Sequence, residues 1–308
     1  MKVAVIGTGF GKHAAAPAYA EAGFDVEVVS PRDDAAVKAA LASDVDLVSV
    51  HSPPFLHLEH VSGALENGRP VLCDKPFGRN ADEAVRMREM ADEAGVLHFL
   101  NFEFRFNESW ARLKELADSG AIGTPRHLHW TYFSSGLRGR EFGWINDRDL
   151  GGGWIGAYGS HLIDFTRWLF GSEVTDCGGV TRLDGSPTQA TAEDAYAAWF
   201  ALANGTTAVH DTGFACAVPS APSVTLIGSD GTAELASDTT LVVRRPGADP
   251  ETAEFAPPPR RSPPPALSTF FGRVAEALRT GTQIAPSFDD GVAVARVMDE
   301  LRAKAVRL

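Results

Sequence analysis

Cysteine is scarce in this chain: Cys73, Cys177 and Cys216 are the only three among 308 residues. They are widely spaced and form no Cys-x-x-Cys pair. That argues against a disulfide framework or a structural zinc site and points to a reduced, cytoplasmic protein with no metal. Long apolar runs are also missing, and none approaches the ~20 residues that span a bilayer. The apolar start Met1-Lys2-Val3-Ala4-Val5-Ile6 is interrupted by Gly7, Gly9, Gly11 and Lys12, so it does not read as a signal peptide. Positive charge is short as well. Lysine and arginine total 28 against 40 acidic residues, for a net charge of −12 and a pI near 5.2. Nucleic acid and anionic membrane surfaces are poor partners for such a surface. Lysine is the scarcer base, and no internal repeat is visible.

What is present is an ordinary globular composition, 44% hydrophobic and 22% charged, at a length that suggests two domains. The first 120 residues alternate apolar strands at 2–6, 25–29, 46–51, 70–73 and 96–100 with amphipathic helices at 10–22, 33–42, 55–67, 80–94 and 107–119. Strands separated by helices imply parallel βαβ units with right-handed crossovers, a doubly wound sheet. After Gly120-Ala121-Ile122-Gly123-Thr124-Pro125 the texture changes. Strand-like runs follow one another at 126–133, 174–182, 194–203, 206–214, 222–228, 231–236 and 240–245, interrupted by a helix at 159–170. Asn204-Gly205 and Asp230-Gly231 are hairpin signals between them. The proline-rich stretch 256–265 reads as an extended connector, and helices at 267–279 and 288–306 close the chain. The expected fold class is therefore α/β: a Rossmann-type doubly wound parallel sheet over 1–122, then an α+β domain over 123–308 with a large open, mainly antiparallel sheet.

The chemistry concentrates in three places. Strand 2–6 runs into Gly7-Thr8-Gly9-Phe10-Gly11-Lys12, where Gly7 permits a tight turn and Gly9 lets the backbone approach a pyrophosphate at a helix N-terminus. The third glycine of a GxGxxG fingerprint would fall at Lys12, so Gly11 stands one place early. The second strand ends at Ser30-Pro31-Arg32, a hydroxyl and a guanidinium where a ribose-binding carboxylate is expected. Arginine can clasp a 2′-phosphate with two hydrogen bonds, which favours NADP with NAD as the alternative, although Arg32 also fits a solvated turn. The apolar run Pro70-Val71-Leu72-Cys73 leads into Asp74-Lys75-Pro76-Phe77-Gly78 and puts Lys75 at the carboxyl end of a strand, where open α/β sheets bind ligands. Proline after it keeps Lys75 out of the helical region.

The third place is Gly151-Gly152-Gly153 through Tyr158, His161 and Asp164. Glycines this dense imply close backbone approach or positive φ. His161 and Asp164 are spaced i, i+3 on one helical face. Histidine can exchange a proton near neutral pH; alone, His161 reads equally well as a structural histidine.

In order and spacing these segments resemble the Gfo/Idh/MocA oxidoreductases, the family that includes glucose–fructose oxidoreductase and inositol dehydrogenase, over essentially the whole chain. Val5 to Gly11 resembles the family's first βα turn. Ser52-Pro53-Pro54 with His57 resembles its turn beside the nicotinamide, and Asp74-Lys75-Pro76 its Glu-Lys-Pro signature. Asn101 to Phe106 resembles the segment leaving the nucleotide domain, and Gly151 to Asp164 its triple-glycine and histidine motif.

The resemblance implies hydride transfer between NADP or NAD and a carbon of a sugar, cyclitol or related polyol held between the nicotinamide and the second domain's sheet. Lys75 would stabilise the substrate oxygen, and His161 would be general base or acid. Asp164 and Tyr158 would contact substrate. The cofactor set would be Gly7, Thr8, Gly9, Phe10, Gly11, Ser30, Arg32, Ser52, Pro53, Pro54, His57, Asp74, Lys75, Asn101, Arg105 and Trp144. Arg138 and Arg140 fit either the cleft or a solvated loop. A homodimer or homotetramer is implied.

Two departures stand out: Ala157 occupies the place of the family's aspartate four residues before the histidine, and Trp144-Ile145 replaces Trp-Arg. They leave open a cofactor-retaining glycoside-cleaving enzyme that works by transient oxidation, or a non-catalytic ligand sensor on the same fold.

Overall fold

β1 (Lys2–Ile6) has four buried residues out of five because it lies between neighbours on both sides. β2 (Asp25–Val29) and β3 (Leu47–Val50) flank it in parallel, with Val3 opposite Val26 on one side and Leu47 on the other. β4 (Val71–Cys73) and β5 (His98–Leu100) extend the sheet to the order β2-β1-β3-β4-β5. The strand order reverses between β1 and β3, which makes that point the place where an open parallel sheet presents its ligand crevice. The computed structural model describes residues 1–139, 141–257 and 264–308. Most of the expected proline-rich connector, and Arg140, lie outside these described residues.

The crossovers are α1 (Ala16–Glu21), α2 (Asp34–Ala42), α3 (His57–Glu66) and α4 (Ala81–Ala94). Asp33 caps α2 through Ala36 N–H at 3.0 Å, and Asn80 caps α4 through Glu83 N–H at 2.9 Å. The helix expected over 10–22 instead opens with a π-type segment, Gly11–Ala15, ahead of α1. Pro17, which carries no N–H, interrupts the regular i→i−4 ladder there.

By contacts the chain divides into two units, Met1–Phe106 with Pro258–Arg296, and Asn107–Pro257 with Val297–Leu308. The expected cut at 122/123 puts α5 (Glu108–Asp118) with the nucleotide half, whereas its contacts are with the second unit. α7 (Pro265–Thr280) returns to the first unit for a physical reason: its apolar face completes that core. Phe270, Phe271 and Val274 join Val3, Val5, Tyr19, Phe24, Leu72 and Phe99, with the Tyr19 and Phe271 rings stacked 3.8 Å apart.

The second unit is built on a nine-stranded sheet. β6 (Pro125–Phe133), β7 (Val174–Arg182), β8 (Ala195–Leu202), β9 (Thr207–Gly213), β10 (Ser220–Gly228), β11 (Thr232–Ala236), β12 (Thr240–Arg244), β13 (Glu251–Glu254) and β14 (Val306–Arg307) run β13-β12-β11-β10-β6-β9-β8-β7-β14. Among the described residues of this sheet, only β6/β9 and β14/β7 pair in parallel. α6 (Ser160–Phe170) and α5 cover the inner face through a cluster of Trp110, Trp130 and Phe165. The expected hairpins form at 204–205 and 230–231, while a third turns on Ser237 and Asp238, both at positive φ (54° and 59°). Asp238 accepts a hydrogen bond from Trp110 Nε1 at 3.0 Å, which secures a turn that usually needs glycine. β13 and β14 were not expected. The first is a polar edge strand, and the second is two residues at the end of α8 (Phe288–Lys304), which stops short of the expected 306. Among the described residues no helix is long and apolar enough to cross a membrane.

Three glycines in the turn after β1 do different work. A Cβ on Gly7 would stand 2.7 Å from the His51 carbonyl oxygen, and one on Gly11 would stand 3.0 Å from His51 Cβ and 3.2 Å from Val5 Cγ1. Gly9 has nothing within 4 Å of that position. Gly11 is therefore the helix–strand packing glycine although it stands one place early in the fingerprint. Gly7→Ala is expected to cost about 1–3 kcal/mol of folding stability through overpacking. Gly9→Ala is expected to stay within about 0.5 kcal/mol of wild type in the same denaturant titration.

Candidate active site

The carboxyl end of the parallel sheet holds a chain of buried polar groups. Asp74 follows β4 and is buried; its backbone N–H is held by Val50 O at 2.8 Å. One carboxylate oxygen, Oδ2, lies 3.1 Å from His51 Nδ1. The other, Oδ1, accepts from the Lys75 backbone N–H at 2.9 Å and from Asn101 Nδ2 at 3.1 Å. Burial opposes the charge, but the hydrogen bond from His51 and the positive charge of the neighbouring Lys75 hold this carboxyl well below its usual range. With Asp74 ionised, His51 Nδ1 donates to it. His51 Nε2 then accepts from the Ser49 hydroxyl at 2.8 Å, and Ser49 accepts from the Tyr19 hydroxyl at 2.8 Å. Burial pushes the Tyr19 phenol up, so it keeps its proton for this role.

Two further groups brace the neighbouring turns. His57, fully buried, has Nε2 2.7 Å from Ser52 O and Nδ1 3.1 Å from Pro76 O. Burial lowers its pKa to about 4, so the ring is neutral and its one N–H goes to the nearer carbonyl, that of Ser52. Ser52 Oγ meets His60 Nδ1 at 2.9 Å. The contacts of Ser52 with His57 and His60 hold the Ser52-Pro53-Pro54 turn on the start of α3. Glu103, in the turn after β5, is also buried, and burial pushes its carboxyl up to about 8. Lys75 draws that value down and Asp74 raises it, so the group keeps its proton at neutral pH.

The first unit thus brings together Gly7, Thr8, Gly9, Phe10, Gly11, Ser52, Pro53, Pro54, His57, Asp74, Lys75 and Asn101 at one end of one sheet. Thr8, Gly9 and Phe10 are exposed and Lys75 is half-buried. Ser30 and Arg32 follow β2, with Ser30 Oγ accepting from Arg32 N–H at 3.3 Å. The Asp33 carboxylate beside them is spent on its helix cap. Arg105 is buried and ion-paired with Asp290 at 2.7 Å, so its guanidinium serves the interior.

Trp144, Tyr158, His161 and Asp164 belong to the second unit. His161 and Asp164 are both buried in the first turns of α6. Arg167, 3.7 Å from Asp164 Oδ1, also forks onto Glu173 with two bonds of 2.6 Å. The triple glycine is a packing requirement. A Cβ on Gly152 would fall 2.4–2.6 Å from three carbonyl oxygens, and Gly153, at φ 103°, lies against the Glu193 carboxylate. Glu193 in turn is paired with buried Arg302 at 2.9 Å. Ala157 sits in a π-type segment, Ile155–Gly159, that precedes α6.

The site's residues fit a dinucleotide. Gly9 offers open backbone at the switch point. Asn101 Oδ1 is a fully buried acceptor with no hydrogen-bond partner among the described residues, its amide being committed to Asp74.

Comparison with known proteins agrees. Residues 1–102 match the model of an oxidoreductase family with an NAD-binding Rossmann fold, and residues 110–234 match the GFO/IDH/MocA C-terminal domain. The chain belongs to the Gfo/Idh/MocA oxidoreductase family.

An uncharacterized oxidoreductase of Synechocystis sp. is 32% identical over 191 residues, 56% of this chain and 52% of the relative. The match therefore spans about half the length of that relative. An inositol 2-dehydrogenase of Rhodococcus erythropolis is 27% identical over 278 residues, 88% of this chain and 76% of the relative. Levoglucosan dehydrogenase, solved in complex with NADH and levoglucosan, superposes with a TM-score of 0.86 at 20% identity, covering 99% of this chain and 97% of that one, which bears on the fold.

Within this Gfo/Idh/MocA frame, sequence reasoning passed over His51 and Glu103. His51 follows β3 directly before the recognised Ser52-Pro53-Pro54 turn, and that position was its only signal. Glu103 lies inside the quoted exit segment but carries no pattern of its own.

The raised Glu103 carboxyl has a measurable consequence. Its proton-bound form stabilises the fold fully below the ordinary carboxyl value, and that contribution is lost as pH rises from about 4.5 through about 8. The wild type is therefore expected to lose on the order of a few kcal/mol relative to Glu103→Gln across that window, read by denaturant titrations at successive pH values.

Proposed function

We propose that this chain binds a nicotinamide dinucleotide at the β1–β3 switch point and catalyses hydride transfer between nicotinamide C4 and a carbinol or carbonyl carbon of a sugar, cyclitol or related polyol. The observation that carries the reading is the adjacency of the glycine turn and the Asp74-Lys75-Pro76 turn, joined through one buried histidine at the carboxyl end of a parallel sheet. The cofactor, when bound, supplies the hydride acceptor or donor; the protein supplies binding, orientation and proton handling.

Gly9 and the residues after it cradle the pyrophosphate with backbone N–H groups, and Asn101 Oδ1 offers an acceptor to an amide N–H. Lys75 donates to the substrate oxygen and stabilises alkoxide as it develops in oxidation. His161, from the second unit, takes the hydroxyl proton in oxidation and returns it in reduction. Asp164 and Tyr158 shape the substrate side, and Ala157 leaves His161 without the anion that the family usually places there. The names of the inositol and levoglucosan dehydrogenases support a polyol or sugar substrate.

For the cofactor we propose NADP over NAD, because Arg32 is exposed beside Ser30 while the nearest acid, Asp33, is engaged in its cap. Trp199 at 46% exposure and Ile227 at 37% leave apolar surface on the large sheet, which supports a homodimer or homotetramer. Three free thiols suit a reducing compartment such as the cytoplasm.

Two measurements test this reading. Lys75→Ala is expected to cut turnover by ~10²–10³ on whichever polyol proves active in a nicotinamide absorbance screen, with cofactor affinity nearly unchanged. Turnover at the wild-type level would remove Lys75 from the mechanism. Arg32→Ala is expected to weaken NADP about ten-fold or more while sparing NAD, since a charge-assisted bond is worth roughly 1.5–3 kcal/mol. Equal losses for both nucleotides in calorimetry would overturn the NADP assignment.

A further inference from the structure

His51 occupies an unusual position. It touches both turns that the proposed function uses, yet it belongs to neither. Its carbonyl oxygen and Cβ form the floor under Gly7, at 2.7 and 2.9 Å from where a Cβ would stand, and its Cβ lies under Gly11. Its ring packs beside Phe10, with centroids 5.8 Å apart. Its backbone N–H donates to Ile6 O at 2.8 Å, on the last residue of β1. From the same residue the imidazole reaches Asp74 at 3.1 Å on one side and Ser49 at 2.8 Å on the other. The side chain is fully buried.

We propose that His51 is a positioning residue that locks the dinucleotide turn to the Lys75 turn. The role depends on the proposed function only in what Lys75 and the glycine turn are for. The Asp74 carboxylate, which can only accept, sets the ring's tautomer: it takes the N–H of Nδ1, so Nε2 accepts from the Ser49 hydroxyl, which in turn accepts from Tyr19. Asp74 then spends its second oxygen on the Lys75 backbone and on Asn101, so the lysine's main chain and the amide are held by one fixed carboxylate. A buried carboxylate that loses one such donor ionises less readily. The chain Tyr19–Ser49–His51–Asp74 is thus a support that keeps a negative charge in place under Lys75. The groups that face this carboxylate are His51 from the end of β3, Tyr19 from α1, His57 from the start of α3, Cys73 and Lys75 on either side of it, and Asn101 and Glu103 after β5.

The test uses the full chain with His51→Phe, which keeps an aromatic ring and removes both hydrogen bonds, and His51→Gln, which keeps a donor toward Asp74. The first readout is the titration of the Asp74 carboxyl, followed by ¹³C NMR of aspartate-labelled protein and assigned with Asp74→Asn. The second is NAD and NADP affinity by calorimetry. The third is kcat against KM as a function of pH on an active polyol. In His51→Phe the Asp74 titration is expected to move up by a unit or more, cofactor affinity to fall about ten-fold, and kcat to gain an acid limb that follows Asp74, with His51→Gln recovering part of each. Wild-type Asp74 titration and cofactor affinity in His51→Phe would overturn the proposal, as would equal behaviour of Phe and Gln. If His51→Phe does not fold, Ser49→Ala takes its place. It breaks only the outer link and is expected to raise the Asp74 titration by a smaller amount, and no change there would equally overturn the proposal. A wild type that turns over no polyol would defeat the proposed function while the first two readouts still decide the role of His51.

Discussion

A buried carboxylate organises the first unit of this protein. An ionised Asp74 in the interior is tolerated only with its oxygens fully engaged, because an unpaired buried charge costs several kcal/mol. Its partners come from three successive strand ends: His51 after β3, Lys75 N–H after β4, and Asn101 after β5. Satisfying one charge therefore fixes the relative placement of three loops at the carboxyl end of the sheet. The close seating of Gly7 and Gly11 on His51 extends that constraint to the loop after β1. A site made of four loops is thereby held to the precision of its sheet, which preorganised catalysis requires.

The second unit solves a similar problem with a different pair. Glu193 is buried against Gly153, accepts from the Ile155 N–H at 3.2 Å, and is neutralised by Arg302, which also donates to Gly152 O at 2.8 Å. The glycine run and the first turns before α6 are pinned by one ion pair. A larger residue at 152 or 153 would strike carbonyls or carboxylate oxygens, so the density of glycine there reflects packing around buried polar groups. The segment that carries His161 is presented by this scaffold.

Much of this was legible from the amino-acid sequence. Parallel strands buried on both faces read as continuous apolar runs, and the amphipathic helices between them read from their periodicity. The hairpins at Asn204-Gly205 and Asp230-Gly231 were visible because glycine supplies local turn geometry; the one at Ser237-Asp238 was not, since a tryptophan 128 residues away secures it. Edge strands such as Glu251–Glu254 carry polar residues and give no alternation to read. Local pattern alone also hid α7's membership of the first unit, which depends on where an apolar face finds its partner. At the site, Lys75 and the glycine turn could be read because each belongs to a short local motif. His51 could not, because its importance comes from neighbours on three other elements. The expectation that Arg105 lines the site from its place in the exit segment meets its burial against Asp290.

The central claim is that this family member moves hydride between a polyol carbon and a nicotinamide, with Lys75 at the reacting oxygen. The most direct measurement is isotope transfer. A polyol deuterated at its carbinol carbon would be incubated with the protein and oxidised cofactor, and the nicotinamide recovered for mass spectrometry. The account predicts one deuterium at nicotinamide C4, lost in Lys75→Ala. A cofactor that binds tightly yet never acquires label from any polyol tested would contradict it.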